Sequence, residues 1–310
     1  MAVPTKQSGN FIGFLVAFLG AVLFSTKAIM VKKAFADTEV DALTLLTFRM
    51  IFSLPFYIII AFFTSRQQKN VKFTTKEWLL ICFLGIIGYY LSSLFDFMGL
   101  QYVSAGIERL ILFLYPTFVV LINAMLFGQL VTRNQKIALL LTYGGIGIAY
   151  FGEIQLTEAN HDFMYGSILI FICALTYASY LVGSGKLIPK LGASKFTAYV
   201  MLAATIAVLT HFFIASDYTK LQLTTELTMY SLMLSIFATV IPSLLIAYGM
   251  KKIGANNTAI VTSIGPVSTI LQAHWILGEH IFPEQIIGTI LVISGVLLIG
   301  WKQKTTNTTV

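Results

Sequence analysis

Ten apolar stretches, each of about twenty residues, follow one another along this chain with only short polar connections between them. A helix crossing a hydrocarbon core of about 30 Å needs roughly that many mainly apolar residues. The stretches are 11–31, 43–63, 78–99, 105–127, 136–152, 164–185, 195–215, 229–250, 257–277 and 285–301, the fifth being the shortest. Composition agrees: 57% of residues are hydrophobic and 11% charged, and the mean hydropathy is +0.84. A soluble domain averages about 25% charged residues. The chain therefore reads as a polytopic membrane protein without a large extramembrane domain. Residues 11–31 resemble the apolar core of a secretion signal. The run is long, however, and contains Lys27, so it reads as a retained first helix.

Basic residues set the orientation. With the N-terminus in the cytoplasm, Lys6, Arg66, Lys69, Lys72, Lys76, Arg133, Lys136, Lys186, Lys190, Lys195, Lys251, Lys252, Lys302 and Lys304 all fall inside. Only Lys32, Lys33 and Lys220 fall in outside loops, and Glu77 is the one acid on the inner side. The net charge of +7 is thus a topology signal, and nucleic acid is not an expected partner. The expected location is a plasma membrane, in a bacterium the inner membrane, with both chain ends cytoplasmic. Cys82 and Cys173 lie in apolar runs, and no metal-ligand spacing accompanies them. Neither disulfide, metal nor cofactor is expected.

The chain also repeats itself. At an offset of 150 residues Pro116 meets Pro266, Gly128 meets Gly278, Gln129 meets Glu279, Gly99 meets Gly249 and Gly145 meets Gly295; at 153, Gly13 meets Gly166. Each copy holds five helices. Five is odd, so the second copy enters the membrane from the opposite side. The expected fold is all-α, ten transmembrane helices in a 5+5 inverted-topology repeat, a plan common among secondary transporters that bind substrate near the midplane. The expected divisions are a tail at 1–10, a first repeat at 11–152, a linker at 153–163, a second repeat at 164–301 and a tail at 302–310. Pro116 and Pro266 each remove one helical hydrogen bond and predict kinks in helices four and nine.

The stretches GLQYVSAGIERLILFLYPTFVVLINAMLFGQ (99–129) and GMKKIGANNTAIVTSIGPVSTILQAHWILGE (249–279), with Phe-Arg at 48–49, make the resemblance specific. The chain resembles the EamA family of the drug/metabolite transporter superfamily, over about residues 11–301. It departs at Gln129, where the family usually carries Glu, while Glu279 keeps that carboxylate in the second copy. The resemblance implies transport of small metabolites, often efflux of amino acids or related compounds. It also implies that helices one, three, four, six, eight and nine surround the pathway, with five and ten peripheral.

Five charges lie within the spans, all in what the topology makes their outer third: Lys27, Arg49, Asp96, Glu108 and Arg109. Each would cost about 2.5–3.5 kcal/mol at a helix centre. Arg49 is the deepest and the costliest to leave unpaired. Two readings stand side by side. The charges form a closed ion-pair network that ties helices one to four together, or a surplus cation faces the cavity and holds a substrate carboxylate. Asp96 and Glu108 are the proton-coupling candidates, and a proton the candidate coupling ion. The second copy has Thr258 and Ala259 where the first has Glu108 and Arg109. Tyrosines deep in spans suggest a wet or ligand-facing wall, so Tyr89, Tyr115, Tyr177, Tyr180 and Tyr248 join the expected pathway, with Gln272 and His274.

No HExxH, G-x-S-x-G or paired catalytic aspartates occur, and GSGK at 183–186 lacks the spacing of a phosphate loop. An enzyme is not expected, and no residue is assigned a catalytic role. The expected function is alternating-access transport, with a small-molecule substrate and the bilayer as partners and a monomer or homodimer as the unit. Export of amino acids or related carboxylates is the leading reading. Multidrug or cation efflux through an aromatic cavity is the alternative, and a sensor or channel on the same scaffold the rival of a different class.

Overall fold

The computed structural model describes residues 6–66, 73–128, 130–157, 161–216, 223–262 and 264–301. Gln129, and with it the expectation attached to that position, lies outside the described residues, as do 1–5 and 302–310 of the two tails and 158–160 of the linker.

Among the described residues every regular element is helical. The first half runs α1 (Lys6–Asp37), α2 (Ala42–Ser65), α3 (Thr75–Gly85), the π-helical turn π1 (Ile86–Leu91), α4 (Ser92–Gly99), α5 (Ala105–Leu112), α6 (Tyr115–Phe127) and α7 (Arg133–Thr157). The second runs α8 (His161–Leu191), α9 (Ala193–Ala215), α10 (Thr225–Ser235), π2 (Ile236–Val240), α11 (Ile241–Thr262), α12 (Gly265–Gln272), π3 (Ala273–Leu277) and α13 (Pro283–Trp301). Seven of the resulting stretches are long and apolar enough to cross a bilayer: Phe11–Asp37, Ala42–Ser65, Thr75–Gly99, Ala105–Phe127, Asp162–Gly185, Ala193–Ala215 and Thr225–Ile246. The apolar runs of the sequence predict ten. The fifth stretch lies in α7, which carries Arg133, Lys136 and Glu153. The ninth is divided among α11, α12 and π3, and the last apolar run, Pro283–Leu298, is short. The eighth and ninth stretches are joined by helix, since α11 continues through 250–257 where a loop was expected.

Local chemistry explains the ends. Asp41, Thr74, Ser104 and Thr224 each accept the backbone N–H three residues on, capping α2, α3, α5 and α10. Pro116 and Pro266 are each the second residue of a new helix, α6 and α12, where a missing N–H costs nothing. The expected kinks are thus helix restarts. Gly128 and Gly278 end their segments at φ 62° and 71°, a left-handed conformation that favours glycine.

Packing joins the halves. α1 runs along α11, α2 along α9, α4 against α8, and α7 along α13. Glycines allow the closest approaches. A Cβ on Gly99 would lie 3.0 Å from the Gly166 carbonyl, and one on Gly249 would lie 3.2 Å from the Gly13 carbonyl. A Cβ on Gly288 would lie 2.4 Å from the Gly145 carbonyl. Many large apolar side chains face outward, Phe63, Leu140 and Phe151 among them. A water-soluble surface rarely shows such a continuous apolar face, whereas lipid welcomes it. The molecule is a multi-pass membrane protein.

Candidate functional site

The site begins with a glycine. A Cβ on Gly88, in π1, would overlap the Tyr180 side chain at 2.3 Å. The bare backbone lets Tyr180 of α8 dock on α3–π1, with the Tyr89 and Tyr180 rings 5.1 Å apart and nearly edge to face. Tyr177 stacks on Tyr180, and Tyr115 meets Tyr177 at 5.2 Å. Tyr89 and Tyr177 wall one side of a cavity of about 80 Å³ that Phe24, Lys27, Arg49, Tyr57 and Asp96 also line, and Tyr115 and Tyr180 pack against those two rings. A water occupies about 30 Å³ in the liquid, so the space suits a compact ligand. Leu112, Cys173, Thr239 and Ser243 complete the wall from α5, α8, π2 and α11. The lining thus comes from α2 but not from α12, where the family resemblance implied helix nine and not helix two. A larger groove of about 420 Å³ is framed by the apolar side chains of Phe11, Phe14, Phe18, Val261, Ile264 and Ile293.

Arg49 is placed by the second half. Its Nε donates to Thr239 Oγ1 at 3.0 Å, and its carbonyl accepts from Ser235 Oγ at 2.6 Å. Thr239 in turn donates to the Leu234 carbonyl five residues back, a reach that the π turn creates. The guanidinium lies 5.4 Å from the Phe97 ring centre. Its Nη1 is buried without a hydrogen-bond partner, and no acid lies within ion-pair distance among the described residues. The deepest charge is therefore left without a counter-ion at ion-pair distance.

The other four charges do not close a five-membered network. Lys27 Nζ lies 2.6 Å from Asp96 Oδ2 and 3.8 Å from Glu108 Oε1. Asp96 is 1% exposed and Glu108 fully buried. Arg109, one residue on and about 100° round the helix, turns away from them. It sits between the Phe24 and Phe113 rings at 5.7 and 5.5 Å, against the space that Gly265 leaves. It too has no acid within ion-pair distance among the described residues. Lys27, Asp96 and Glu108 make a triad, and the two arginines stand outside it.

Of the expected pathway residues, Glu108, Arg109, Tyr115 and Tyr180 touch lining residues without lining the cavity themselves, and Tyr248, His274 and Gln272 stand apart from it. Tyr248 is 43% exposed beneath the Lys252 ammonium, because five helical positions separate it from the cavity-facing Ser243 and turn it about 140° away. His274 lies on an exposed face, its Nδ1 2.8 Å from the Glu279 carbonyl. Gln272, two positions earlier, faces α1 instead and donates to the Val22 carbonyl and to Ser268. Glu279 caps α5 by accepting from Ala105 N at 3.0 Å and Gly106 N at 3.5 Å, which explains a carboxylate there without any role in the pathway. Tyr57, Thr239 and Gly88 escaped the sequence reading. The rule that picked out the other deep tyrosines applies equally to Tyr57. Gly88 gives no such signal, because its use depends on where Tyr180 lands.

Comparison with known proteins follows the same outline. The sequence profile described as the EamA-like transporter family matches residues 11–151 and 164–301. The uncharacterized transporter YcbK of Bacillus subtilis (strain 168) is 32% identical over 282 residues, 89% of this chain and 88% of that protein. An uncharacterized transporter of Archaeoglobus fulgidus is 23% identical over 76% of this chain and 81% of its own. A solved crystal structure superposes with a TM-score of 0.64, covering 95% of this chain and 96% of its own at 17% identity.

Proposed function

The chain belongs to the EamA-like transporter family, matched over both of its halves, and on that premise we propose a secondary carrier that moves small carboxylate-bearing metabolites, amino acids or their relatives, by alternating access. Membership makes it a membrane transporter and not an enzyme. Export is the direction we assign, and the bacterial inner membrane with both chain ends cytoplasmic is the setting that the lysine distribution favours.

An inverted repeat of five helices and five, with repeats at 11–152 and 164–301, is the architecture we assign. Several features recur at the offset of 150: the π turns at 86 and 236, the threonine caps at 74 and 224, the proline restarts at 116 and 266, and the left-handed glycines at 128 and 278. The glycine contacts support it further. Gly99 against Gly166 and Gly249 against Gly13 are one contact made twice, because each glycine of one pair is the sequence match of a glycine in the other. Two packings of one plan in opposite orientations are what alternating access needs.

The observation that carries the substrate assignment is Arg49. A guanidinium 5% exposed, lining this cavity with Nη1 unpartnered, is costly unless something supplies an acceptor. A carboxylate matches its planar donors. Asp96 and Glu108 are adjoining acids and remain the pair we assign to proton coupling. The aromatic wall of Phe24, Tyr57, Tyr89 and Tyr177 favours a second reading, efflux of apolar cations. A melting-shift screen of purified protein against amino acids, organic acids, nucleosides and cationic drugs separates the two, since a ligand of the folded state raises its stability. A shift from a carboxylate, lost in a folded Arg49→Met variant, supports the first; shifts from cationic drugs alone overturn it.

A further inference from the structure

The charges around this cavity do not balance. Among the described residues, Lys27, Arg49 and Asp96 are the charged side chains that line it, two cations and one acid. Asp96 is engaged on two sides. Lys27 Nζ lies 2.6 Å from its Oδ2, and Glu108, outside the lining, shares a hydrogen bond with it. A hydrogen bond between two carboxyl groups needs a proton on one of them, because an ionised carboxylate only accepts. The acid pair thus carries one negative charge, and Lys27 balances it. Arg49 is left over. Its Nε is spent on Thr239, and Nη1 is buried without a partner. Arg109 adds to the excess, 5.7 Å from the Phe24 ring that lines the cavity and without an acid at ion-pair distance among the described residues. The wall is short of one negative charge, and its one acid is already committed.

The rest of the wall is neutral. Ser93, Ser243 and Tyr177 bring hydroxyls, and Phe24 and Leu112 bring apolar surface. Such groups receive a hydroxyl, a carbonyl or a methyl at little cost, whereas an ammonium taken from water without a carboxylate to meet it is expensive. The space is small as well, about 80 Å³ against about 30 Å³ for one water in the liquid, enough for a carboxylate and a short remainder. We infer that the ligand is a compact monocarboxylate without an amino group, a hydroxy or oxo acid, with its carboxylate on Arg49 and its remaining oxygen among the lining hydroxyls. This rests on the reading above that Arg49 holds a substrate carboxylate, and it narrows that reading to the relatives of amino acids and away from the amino acids themselves. An α-ammonium would have to compete with Lys27 for Asp96, and a second carboxylate would find no second unbalanced cation in the lining.

The probes are pairs matched in size, glycolate with glycine and lactate with alanine, which differ only in a hydroxyl against an ammonium. Pyruvate tests the oxo acid and malonate the dianion. Melting shifts of purified wild type at neutral pH, where every probe has its carboxylate ionised, give the affinities, and this comparison needs no variant to fold. Glycolate or lactate should bind about tenfold tighter than its amino partner, and malonate no tighter than either. A folded Arg49→Met variant should lose the shift, and Arg49→Lys should keep part of it. Alanine binding as well as lactate, and glycine as well as glycolate, would overturn the exclusion of the amino group while leaving the Arg49 carboxylate site standing. Malonate binding tighter than lactate would overturn the charge count in the same way. No shift from any carboxylate, or a lactate shift undiminished in folded Arg49→Met, would overturn both.

Discussion

Lys27 in α1 and Tyr180 in α8 occupy matching places in the two halves, 153 residues apart, and do opposite things. Lys27 brings an ammonium to two buried acids. Tyr180 brings a ring onto bare backbone at Gly88 and stacks on Phe196 at 6.2 Å. The positions matching Asp96, Glu108 and Arg109 are Ile246, Thr258 and Ala259, so the charges belong to one half alone. Backbone devices recur in both halves: π turns, caps, glycine contacts and proline restarts. What is duplicated is the geometry that lets helices meet and bend, and what is not duplicated is the chemistry that faces a ligand. The first half thus supplies every charge that lines the cavity, while the lining rings come from both, Phe24, Tyr57 and Tyr89 from the first and Tyr177 from the second.

The largest test of that contrast removes its two defining side chains. Lys27→Met strands a buried acid pair away from water, and losing one partner of a buried pair costs about 3–5 kcal/mol. Tyr180→Phe removes one hydroxyl and keeps the ring, at about 1 kcal/mol. Thermal unfolding in detergent should rank them in that order by a wide margin. The triple variant Lys27→Met/Asp96→Asn/Glu108→Gln should recover most of the loss, because it removes the stranded charges. Equal losses for Lys27→Met and Tyr180→Phe would erase the contrast.

Glycine variants come next. The position matching Gly88 is Ala238, which is buried and already carries a Cβ. Gly88→Ala makes the halves alike in sequence but drives a methyl into the stem of Tyr180, so it should cost about 1–3 kcal/mol. The pair Gly99 and Gly249 sharpens the comparison further. A Cβ on Gly99 meets first the tip of Ile170, which can turn aside, while one on Gly249 meets Ala17 Cβ at 2.7 Å, which cannot. Gly249→Ala should therefore unfold at the lower temperature. Gly144→Ala, with nothing within 4 Å, is the control and should be nearly silent.

The sequence carried the geometry well. Gly99, Gly249, Gly13 and Gly166 were aligned by offset alone, and they turn out to touch across the halves. The positions of the five charges were legible too, but their pairing was not. Adjacency of Glu108 and Arg109 shows that they point apart, yet not that one meets Lys27 while the other lies between Phe24 and Phe113. Pairing depends on how helices rotate about their axes. The π turns set that rotation, and the apolar period does not reveal them. The same blindness put Tyr248 and His274 in the pathway. Glu279 was legible as a charge but not as a cap, because its N–H partners lie 174 and 173 residues away. Glu279→Ala should lower stability by about 1 kcal/mol, with the loss confined to α5 in hydrogen exchange and little change in ligand affinity.

The smallest effect on stability is expected where the two halves meet at opposite ends of the bundle. At one end Lys190 of α8 pairs with Glu77 of α3, and Glu77 also closes the capping box with Thr74. At the other, Tyr230 of α10 donates to Asp37 of α1. These are matching seams, α8 on α3 and α1 on α10, fastened by different chemistry. The Lys190 side chain is 53% exposed, so its pair contributes about 0–1 kcal/mol. Glu77→Gln keeps an acceptor for the cap and loses only the charge, and the melting temperature should barely move. Opening is another matter under the alternating access proposed above, because an equilibrium poised between two seams would respond to small biases: 1.4 kcal/mol is about a tenfold shift in population. Cys173 lines the cavity and reports which end is open. In a Cys82→Ser background, Glu77→Gln should speed labelling of Cys173 by a membrane-impermeant maleimide from the Lys190 end, and Tyr230→Phe should speed it from the opposite end. Acceleration from the same end by both variants would mean that the two seams are not alternative gates.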